Sequence, residues 1–450
     1  MTEQLSVVVL AAGKGTRMKN GLAKVLHPLA ARPLIAHVLG VAGELGAGRL
    51  VVVLGPNMEE VRSEVERCAP DARFAIQDPP LGTGHALQAA LDELPARGTV
   101  LVLYGDTPLI TAPTLSALVE RRRESGAAVS VLGMAPPDPG GYGRLRFEGE
   151  ELAELVEERH ADEHLKRAAL CNSGVMAFDA ARLRELLEAL PLRRDKNEYY
   201  LTDAVALARQ RGWSCRAAEG PWQEGLGINS QGQLAAAEAI FQQRRRHALL
   251  EAGVVMRAPE TVHLAADTVI EPGAFIEPYV VFGPGVRVEA GAVVHSFSHL
   301  EEASLAAGAN VGPFARLRPG SRLEEGAKVG NFVELKNATL EAGAKVNHLS
   351  YVGDASVGRR ANVGAGTITC NYDGFGKHRT DIGEGAFIGS NSALVAPVRV
   401  GRGAIVGAGS TIVHNVPDDA VAIARTAQAI KEGRAPRMRE QLKRRKEQQS

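Results

Sequence analysis

Two hydrophobic periods divide the chain. In residues 1–228, short apolar runs alternate with longer stretches whose apolar residues recur at helical spacing. The runs predict the strands Ser6–Leu10, Leu50–Leu54, Arg73–Ile76, Val100–Tyr104 and Ala128–Gly133. The stretches predict the helices Lys24–Leu45, Met58–Cys68, Gly84–Leu94 and Ala112–Glu124. This alternation predicts a mostly parallel sheet covered on both faces, which binds its ligands at the carboxyl ends of the strands.

Residues 230–251 have the pattern of a single helix. Apolar residues such as Leu234 and Phe241 recur in it at helical spacing. We interpret this helix as a linker between a first domain, residues 1–229, and a second domain, residues 252–450.

A period of six residues begins near Val262. The apolar residues that hold it are Ile270, Ile276, Phe282, Val288, Val294, Leu300, Leu305, Val311, Leu317, Leu323, Val329, Leu335, Leu340, Val346, Val352, Val357, Val363, Ile382, Ile388, Leu394, Val400, Val406 and Ile412. A helix repeats every 3.6 residues and cannot hold this period, whereas one short strand and a turn fill it. Three such units close a triangular coil with its apolar residues inside. The register persists through five blocks, which disfavours an antiparallel sandwich.

The six-residue period is interrupted between Ile368 and Ile382. The intervening segment, Thr369–Asp381, is polar, so we expect it to leave the coil as a loop with a function of its own.

Composition narrows the class of protein. The 450 residues are 45% hydrophobic and 23% charged, with a formal net charge of zero, so nothing global indicates nucleic-acid binding. The four cysteines are far apart, which indicates neither a zinc site nor a disulfide framework and favours a reducing cytoplasm. The apolar run Leu5–Ala12 lacks the basic start of a signal peptide, and no run is long enough for a membrane span.

A glycine-rich turn follows the first predicted strand. Gly13 and Gly15 let backbone N–H groups approach a phosphate, and Lys14 and Arg17 add positive charge. The turn lacks both the Walker A pattern and the third glycine of the dinucleotide fingerprint. By itself it fits a phosphate site or an ordinary strand-to-helix turn.

The motifs that follow favour the phosphate site. They are Lys24, Gln77, Leu81–Ala86, Tyr104–Asp106, Gly141–Arg144, Asn172–Gly174, Glu198–Asp203 and Gly227–Asn229. In this order they resemble the sugar-nucleotide pyrophosphorylase family. With the six-residue repeats, nearly the whole chain resembles the enzymes that join a sugar-1-phosphate uridylyltransferase to an acetyl-CoA-dependent acetyltransferase. The resemblance implies an α/β Rossmann-like nucleotidyltransferase domain followed by a left-handed parallel β-helix of hexapeptide repeats.

The resemblance also assigns roles in the first site. Arg17 and Lys24 would bind the phosphates of UTP and act in catalysis, and Asp106 and Asn229 would bind Mg²⁺. The other substrate-binding residues would be Leu10, Ala11, Ala12, Gly13, Gln77, Gly82, Thr83, Tyr104, Gly105, Gly143, Glu157 and Asn172. Within that set, Gln77, Gly82 and Thr83 would read uracil, and Gly143, Glu157 and Asn172 would hold the sugar. The chemistry agrees, because joining two polyanions calls for cations, and Mg²⁺ accepts few protein oxygens.

Polar motifs also interrupt the β-helix half. They are Gly312–Gly320, Gly330–Lys336, His348–Tyr351, Asn362–Thr367 and Thr369–Gly374. Because apolar residues fill the interior, these polar side chains must point outward. Coils stack about 4.8 Å apart, so residues some eighteen positions apart lie on neighbouring coils. We therefore expect Lys336, Tyr351 and Asn371 to face a common groove.

By resemblance, His348 is the base that deprotonates the amine during acetyl transfer. Our own hypothesis is that Glu334 fixes the tautomer of this histidine. Arg318 and Lys336 would bind the sugar phosphate, and Tyr351 and Asn362 would contact the sugar. Acetyl-CoA would be held by Ala365, Asn371, Tyr372, Ser390, Ala408 and Arg425. The basic tail, Lys431–Ser450, is interpreted as solvated rather than as a contact for CoA phosphates.

The function implied is N-acetylation of glucosamine 1-phosphate followed by uridylyl transfer to the product. Hexapeptide acyltransferases characteristically form trimers with acyl-CoA between neighbouring β-helices, so we expect a homotrimer. One alternative is a nucleotidyltransferase whose β-helix only regulates or assembles; His348 and the loop at Asn371 argue against it. Another is a non-catalytic assembly protein, disfavoured by Arg17, Lys24 and Asp106.

Overall fold

The chain divides into two compact units. The computed structural model describes residues 4–13, 15–18, 21–167, 170–194 and 196–449, so Lys14 lies outside the described residues. The first unit comprises the described residues of Met1–Ala248 and Leu264–Ala266, and the second those of Leu249–His263 and Asp267–Ser450.

A central sheet organises the first unit. Its main strands, in spatial order, are Cys215–Gly220, Val129–Met134, Cys171–Asp179, Thr99–Tyr104, Leu5–Leu10, Arg49–Leu54 and Arg73–Ile76. Cys171–Asp179 runs antiparallel to both of its neighbours, and the other neighbouring pairs are parallel. The hairpin Arg144–Glu148 and Glu151–Val156 joins the sheet beside Cys171. All five predicted strands are present, each within one residue of its expected bounds.

Helices cover both faces of this sheet. They are Leu34–Glu44, Glu59–Cys68, Gly82–Ala89, Ala112–Ser125, Glu163–Lys166, Ala180–Glu188 and Asp203–Gln210. Short 3-10 turns lie at Thr16–Met18, Lys24–Leu26, Leu91–Glu93, Glu158–His160 and Trp222–Gly225. Short strand pairs form between Pro28–Leu29 and Arg32–Pro33, and between Leu192–Arg193 and Glu198–Tyr199. One apolar core lies on each side of the sheet.

The prediction of one helix over Lys24–Leu45 is wrong. A 3-10 turn and a tight hairpin occupy its first part, and the helix begins only at Leu34. Pro28 and Pro33 flank the hairpin, and proline disfavours helical conformation in the residue before it. Between them, Ala30 and Ala31 adopt left-handed φ angles of 48° and 62°.

A long helix, Gln231–Glu251, follows the sheet, at the position predicted for the linker. Its apolar residues Ala237 and Phe241 pack against Leu29, Leu34 and Leu109. The first part of this helix therefore belongs to the core of the first unit.

The second unit is a left-handed parallel β-helix of hexapeptide repeats. One sheet contains Val255–Met256, Phe275–Ile276, Val293–Val294, Asn310–Val311, Lys328–Asn331, Lys345–His348, Asn362–Val363, Phe387–Ile388, Ile405–Val406 and Val421–Ala422. The other contains His263–Leu264, Val269–Ile270, Val281–Phe282, Arg287–Val288, His299–Leu300, Ala303–Leu305, Arg316–Leu317, Ser321–Leu323, Glu334–Leu340, Tyr351–Val357, Ile368–Cys370, Thr380–Ile382, Ala393–Val395, Val398–Val400 and Thr411–Ile412. Each residue predicted to point inward is at most 5% exposed.

The predicted loop begins later than expected. Thr369 keeps the inward position of its coil and is 1% exposed. Its hydroxyl accepts a hydrogen bond from the Gly353 N–H at 2.8 Å and donates one to the Gly353 carbonyl at 3.1 Å. These two bonds let a polar side chain replace the apolar one. The chain then leaves the coil near Asn371 and rejoins it at the strand Thr380–Ile382.

A final helix, Arg434–Gln449, is polar. No helix within the described ranges is both long enough and apolar enough to cross a membrane.

Candidate active sites

A cavity of about 530 Å³ opens at the carboxyl ends of the parallel strands in the first unit. It is lined by Leu10, Ala11, Ala12, Gly13, Lys24, Val25, Gln77, Pro80, Gly82, Thr83, Ala86, Tyr104, Asp106, Glu157, Lys196, Glu198, Tyr200 and Thr202. Most residues predicted for the first site are in this lining. Those outside it are Arg17, Gly105, Gly143, Asn172 and Asn229.

A cluster of charged and polar groups lies at one side of this cavity. The Lys24 ammonium contacts the Asp106 carboxylate and donates to Asn229 Oδ1 at 3.1 Å. Arg17 donates to the same Asn229 oxygen at 2.8 Å. The Ile228 N–H donates to the Asp106 carbonyl at 2.9 Å, which ties the two loops together. The predicted metal ligands, Asp106 and Asn229, thus both contact one cation.

The donor set of this cluster fits a magnesium ion. The Lys24 ammonium stands where a carboxylate oxygen of Asp106 and an amide oxygen of Asn229 converge. Mg²⁺ takes one or two such oxygens from a protein and completes its shell with water and phosphate. The described residues contain no group of three or more His, Cys, Asp or Glu side chains arranged to hold a metal ion.

The glycine-rich turn packs tightly against Lys24. Gly15 has a φ of 62°, and a Cβ there would collide with the Cβ of Lys24. Gly105 is also confined, because its Cβ would lie 3.1 Å from Val25 and 3.3 Å from Ala11. Glycine at both positions lets the turn and the end of the neighbouring strand approach each other.

Gln77 and Tyr104 contribute polar groups to the lining. Gln77 is 4% exposed, and its amide nitrogen donates to the Gly82 carbonyl at 2.8 Å. Burial raises the pKa of Tyr104, so its phenol stays neutral. Gly174 abuts the Tyr104 ring, where an added Cβ would lie 3.0 Å from Cε2. Thr83 accepts a hydrogen bond from the Leu201 N–H at 3.2 Å.

Two of the predicted sugar residues support the lining rather than form it. The Asn172 N–H donates to the Gly143 carbonyl at 2.8 Å, and Asn172 Oδ1 accepts from the Gly174 N–H at 2.9 Å. Glu157, the third predicted sugar residue, lines the cavity directly.

Sequence reasoning missed seven lining residues: the apolar Val25, Pro80 and Ala86, and the polar Lys196, Glu198, Tyr200 and Thr202. The last three belong to the motif Glu198–Asp203, which supported the family resemblance but received no role. Lys196 lies outside every motif, and its Nζ lies 6.0 Å from the centre of the Tyr200 ring. Nothing in the sequence pattern distinguishes this lysine from a surface lysine.

His348 defines the second candidate site. Its Nδ1 lies 2.7 Å from Asn331 Oδ1, and the two residues pair on neighbouring coils. An amide oxygen can only accept, so Nδ1 donates, and in the neutral ring the lone pair is on Nε2. The hypothesis that Glu334 orients His348 is wrong. Glu334 instead accepts a hydrogen bond from Arg318 at 2.9 Å.

Three predicted acetyl-CoA residues continue the line that begins at His348. The Gly366 N–H donates to the His348 carbonyl at 3.3 Å, which brings Ala365 beside His348. Val363, Ile388 and Val406 pair on successive coils. Ala365, Ser390 and Ala408 each lie two residues after one of them, so these three residues also lie on successive coils. The small side chains of Ala365 and Ala408 keep this line open along successive coils.

Three cationic side chains, Lys336, Lys377 and Arg318, lie near one another on the β-helix. The Lys377 ammonium contacts that of Lys336. This contact and the positive charge of Lys377 hold the pKa of Lys336 below its ordinary value. Arg318 adds to this effect, whereas Asp354 opposes it. Such a cluster favours a bound anion. Lys377 was not among the predicted residues, because it lies beyond the motif at Thr369–Gly374.

The loop after Thr369 is anchored beside the same cluster. Asn371 donates to Asp354 at 2.5 Å, and Asn337 donates to the other Asp354 oxygen at 2.7 Å. Burial raises the pKa of Asp354, but these hydrogen bonds outweigh it and hold the pKa below its usual range. Lys336 pairs with Gly353 across the coils, and Asn371 contacts Asp354, the residue that follows Gly353, so Lys336 and Asn371 lie near the same part of the coil.

The remaining predicted residues lie on the outer surface of the β-helix. Tyr351 pairs with Glu334 on the neighbouring coil, and Asn362 pairs with Lys345. Tyr372 is 62% exposed, and its hydroxyl donates to the Gly374 carbonyl at 2.6 Å. Arg425 is exposed near the carboxyl end of the coils.

Comparison with known proteins gives matches over both units. Residues 7–196 match the MobA-like NTP transferase domain, and residues 379–414 match six bacterial transferase hexapeptide repeats. The chain is 54% identical over 438 residues to the Bifunctional protein GlmU of Azorhizobium caulinodans, with 97% of each chain covered. It is 53% identical over 436 residues to that of Xanthobacter autotrophicus, again with 97% of each covered. The protein of the same name from Bradyrhizobium diazoefficiens is 52% identical over 443 residues, with 98% of each covered.

Proposed function

The chain belongs to the family of bifunctional GlmU proteins, and we propose how its two reactions are divided between the two candidate sites. It is an enzyme with uridylyltransferase and acetyltransferase activities, which together make UDP-N-acetylglucosamine. Residues 1–229 would carry the uridylyl transfer, 230–251 the linker helix and 252–450 the acetyl transfer. The alternative of a single nucleotidyltransferase with a scaffolding β-helix is not favoured, since the relatives that span the chain are named bifunctional.

The cavity of the first unit is assigned to uridylyl transfer. A phosphate oxygen of N-acetylglucosamine 1-phosphate would attack the α-phosphorus of UTP, and pyrophosphate would leave. Lys24 and Arg17 are placed to neutralise the phosphates. The polypeptide Leu10–Gly13 would hold the nucleotide at the end of its strand, and Glu157 would contact the sugar.

Asp106 and Asn229 are the proposed Mg²⁺ ligands. Their two oxygens already contact one cation, the Lys24 ammonium, which supports their use for a metal ion. When bound, Mg²⁺ would neutralise negative charge on the phosphates. Lys24 would then shift from these oxygens toward the phosphate oxygens, where its charge is needed.

His348 is the proposed base for acetyl transfer. The observation that supports this assignment is its contact with Asn331, which selects the neutral tautomer whose Nε2 can accept a proton from the amine of glucosamine 1-phosphate. Lys336, Lys377 and Arg318 would bind the sugar phosphate. Tyr351 and Asn362 would contact the sugar.

Acetyl-CoA is the proposed acetyl donor. The line of Ala365, Ser390 and Ala408 leads away from His348 along the coils, which suits an extended ligand whose thioester must reach the base. Ser390 is exposed in this line and could donate a hydrogen bond to the thioester oxygen. Asn371, Tyr372 and Arg425 would complete the site.

We also propose that the enzyme is a homotrimer. Tyr279, Phe297, Phe314 and Phe332 form a ladder on one corner of the β-helix, with ring centres 5.0, 4.9 and 5.2 Å apart. Each is 46–55% exposed, and each has a left-handed φ of 55–62°. The same conformation recurs at other turns of the β-helix, such as Asn337 (φ 46°) and Asp354 (φ 48°), so the geometry of the coils explains it. The exposure of four stacked aromatic rings is what favours a partner. Together they expose roughly 400 Å² of aromatic surface.

A second copy is the occupant that best fits this ladder. Copies arranged around an axis parallel to the β-helix would bring the same ring to the same height on each neighbour. Leu349 continues the corner on the next coil and directly follows His348, so a neighbour packed on the ladder would lie beside the proposed base.

The proposed location of the enzyme is the cytoplasm. Its four cysteines are free thiols, as expected in a reducing compartment. UTP and acetyl-CoA, its proposed substrates, are also intracellular metabolites.

Two variants test the assignment of the reactions to separate sites. His348→Ala should lose acetyl transfer and, when supplied with N-acetylglucosamine 1-phosphate, retain UTP-dependent release of pyrophosphate. Asp106→Ala should show the reverse. Equal amounts of the two proteins should together convert glucosamine 1-phosphate to the final nucleotide sugar. Loss of both activities in either folded variant would contradict two independent sites.

A further inference from the structure

The amide of Gln77 is held in one orientation at the lining of the first cavity. Gln77 follows the strand Arg73–Ile76 and is almost fully buried. Its Nε2 donates to the Gly82 carbonyl at 2.8 Å and lies 3.4 Å from Nδ1 of His85. A carbonyl oxygen can only accept, so the amide nitrogen, not the amide oxygen, must face Gly82.

This orientation leaves an acceptor for the ligand. Both N–H groups of the Gln77 amide are directed at protein acceptors, Gly82 O and His85 Nδ1. Among the residues that the structure describes, no donor contacts Gln77 Oε1, and this oxygen is not sealed from solvent. Because Gln77 lines the cavity, Oε1 is the atom that it can offer to a bound base.

His85 is itself held by packing. Its ring lies against Tyr199, with ring centres 6.3 Å apart and planes tilted by 30°. The Tyr199 N–H donates to the Leu81 carbonyl at 2.8 Å, and a Cβ on Gly84 would lie 3.0 Å from the Tyr199 carbonyl. The amide nitrogen of Gln77 faces Nδ1, so Nδ1 is the acceptor and neutral His85 carries its proton on Nε2.

Uracil and cytosine differ at ring N3, the atom that a hydrogen-bond acceptor such as Gln77 Oε1 would contact. The ring N3 of uracil carries a hydrogen and donates, whereas N3 of cytosine carries a lone pair and accepts. Gln77 Oε1 would bind the first and repel the second. To accept cytosine, the amide would have to turn over and bring its oxygen against two acceptors, Gly82 O and His85 Nδ1.

We propose that His85 is a positioning residue for nucleotide choice: it fixes the Gln77 amide so that its oxygen selects uracil over cytosine. The proposal rests on uridylyl transfer by this cavity and adds a determinant of its base specificity. His85 acts through Gln77 and does not itself touch the nucleotide.

The test compares variants at one position in the full-length enzyme. His85→Phe keeps a flat ring against Tyr199 but removes the acceptor. His85→Asn places an oxygen near the position of Nδ1, whereas His85→Gln places its polar group farther out, near the position of Nε2. For each protein, pyrophosphate release gives KM and kcat for UTP and the inhibition constant of CTP. Acetyl transfer by the same protein reports on folding.

The expected result is a change in base preference rather than in the chemical step. In His85→Phe, the ratio of the CTP inhibition constant to the UTP KM should fall about twofold to tenfold. This range corresponds to the net free energy of one neutral hydrogen bond. Its kcat should change less than about twofold. His85→Asn should restore the ratio, and His85→Gln should not. The wild type should reject UTP methylated at N3, which cannot donate to Gln77 Oε1.

Two outcomes would overturn the proposal. One is an unchanged ratio in His85→Phe; the other is full activity of the wild type with N3-methylated UTP. Either leaves uridylyl transfer itself intact, because UTP turnover by the wild type is measured first. Failure of the wild type to turn over UTP would instead remove the proposed function and this specificity with it.

Discussion

The ring nitrogen Nδ1 of His348 lies 2.7 Å from Oδ1 of Asn331, its partner on the neighbouring coil of the β-helix. The parallel stacking of the coils sets this distance, because residues at equal positions on neighbouring coils meet side by side. The fold thus places an acceptor where it selects the tautomer of the proposed base.

Asn331→Ala should therefore slow acetyl transfer without removing the base. Loss of the acceptor leaves His348 free to adopt the other tautomer, so we expect a fall of about tenfold to a hundredfold in kcat with little change in KM. Asn331→Asp retains an acceptor and should recover most of the rate. Release of the CoA thiol measures the effect, and unchanged pyrophosphate release is the control. An Asn331→Ala enzyme with the full wild-type kcat would contradict this role.

Lys377→Ala should change the alkaline limit of acetyl transfer. Lys377 holds the pKa of Lys336 below its ordinary value. Lys336 is charged below its pKa, so binding of glucosamine 1-phosphate should weaken as pH rises through that lowered value. Removing the Lys377 charge raises the pKa of Lys336, so the alkaline limb of kcat/KM for the sugar phosphate should move to higher pH.

Lys377→Arg is the matched control, because it keeps the neighbouring positive charge. Its alkaline limb should stay close to that of the wild type. An alkaline limb at the same pH in the Ala and Arg variants would show that Lys336 does not bind the phosphate through its charge.

The aromatic ladder should be required for self-association. We expect Phe297→Ser combined with Phe314→Ser to lower the sedimentation coefficient from that of a trimer toward that of a monomer. Acetyl transfer should fall with it, whereas uridylyl transfer should remain. Phe147→Ser, at a 39% exposed phenylalanine of the first unit, is the control. A double variant that sediments like the wild type would exclude the ladder as the contact.

Removal of divalent metal should separate the two activities. A chelator should stop release of pyrophosphate and leave release of the CoA thiol unchanged, because only the first site has the proposed Mg²⁺ ligands. Asn229→Ala should raise the Mg²⁺ concentration needed for half-maximal rate by about tenfold or more. An equal Mg²⁺ requirement in Asn229→Ala and the wild type would contradict this ligand.

The general fold could be predicted from the sequence because each unit repeats one simple pattern. Inward residues such as Ile276 and Val346 recur every six positions, and burial of these residues alone defines the coils. The helix predicted from Lys24 does not form over its whole length, because Pro28 and Pro33 disfavour helical conformation despite the helical spacing of the apolar residues. Thr369 was missed as a core residue because its two hydrogen bonds to Gly353 depend on the coil stacking.

The candidate sites were harder to predict where contacts depend on register. Asn331 and Glu334 are both near His348 in the motif order, and only the one-to-one pairing of Asn331 with His348 decides which of them meets the ring. Lys377 reaches Lys336 because the loop folds back toward the coils. Such contacts arise from the path of the backbone, which the spacing of the residues does not contain.

The most direct test of two linked activities in one chain is an omission experiment with the wild-type enzyme. Glucosamine 1-phosphate, acetyl-CoA, UTP and Mg²⁺ are supplied together and then with one component left out, while CoA thiol and pyrophosphate are both followed. The complete mixture should release both products. Without UTP, thiol alone should appear, and without acetyl-CoA, neither should appear. Pyrophosphate release at the full rate without acetyl-CoA would contradict the order of acetylation before uridylyl transfer.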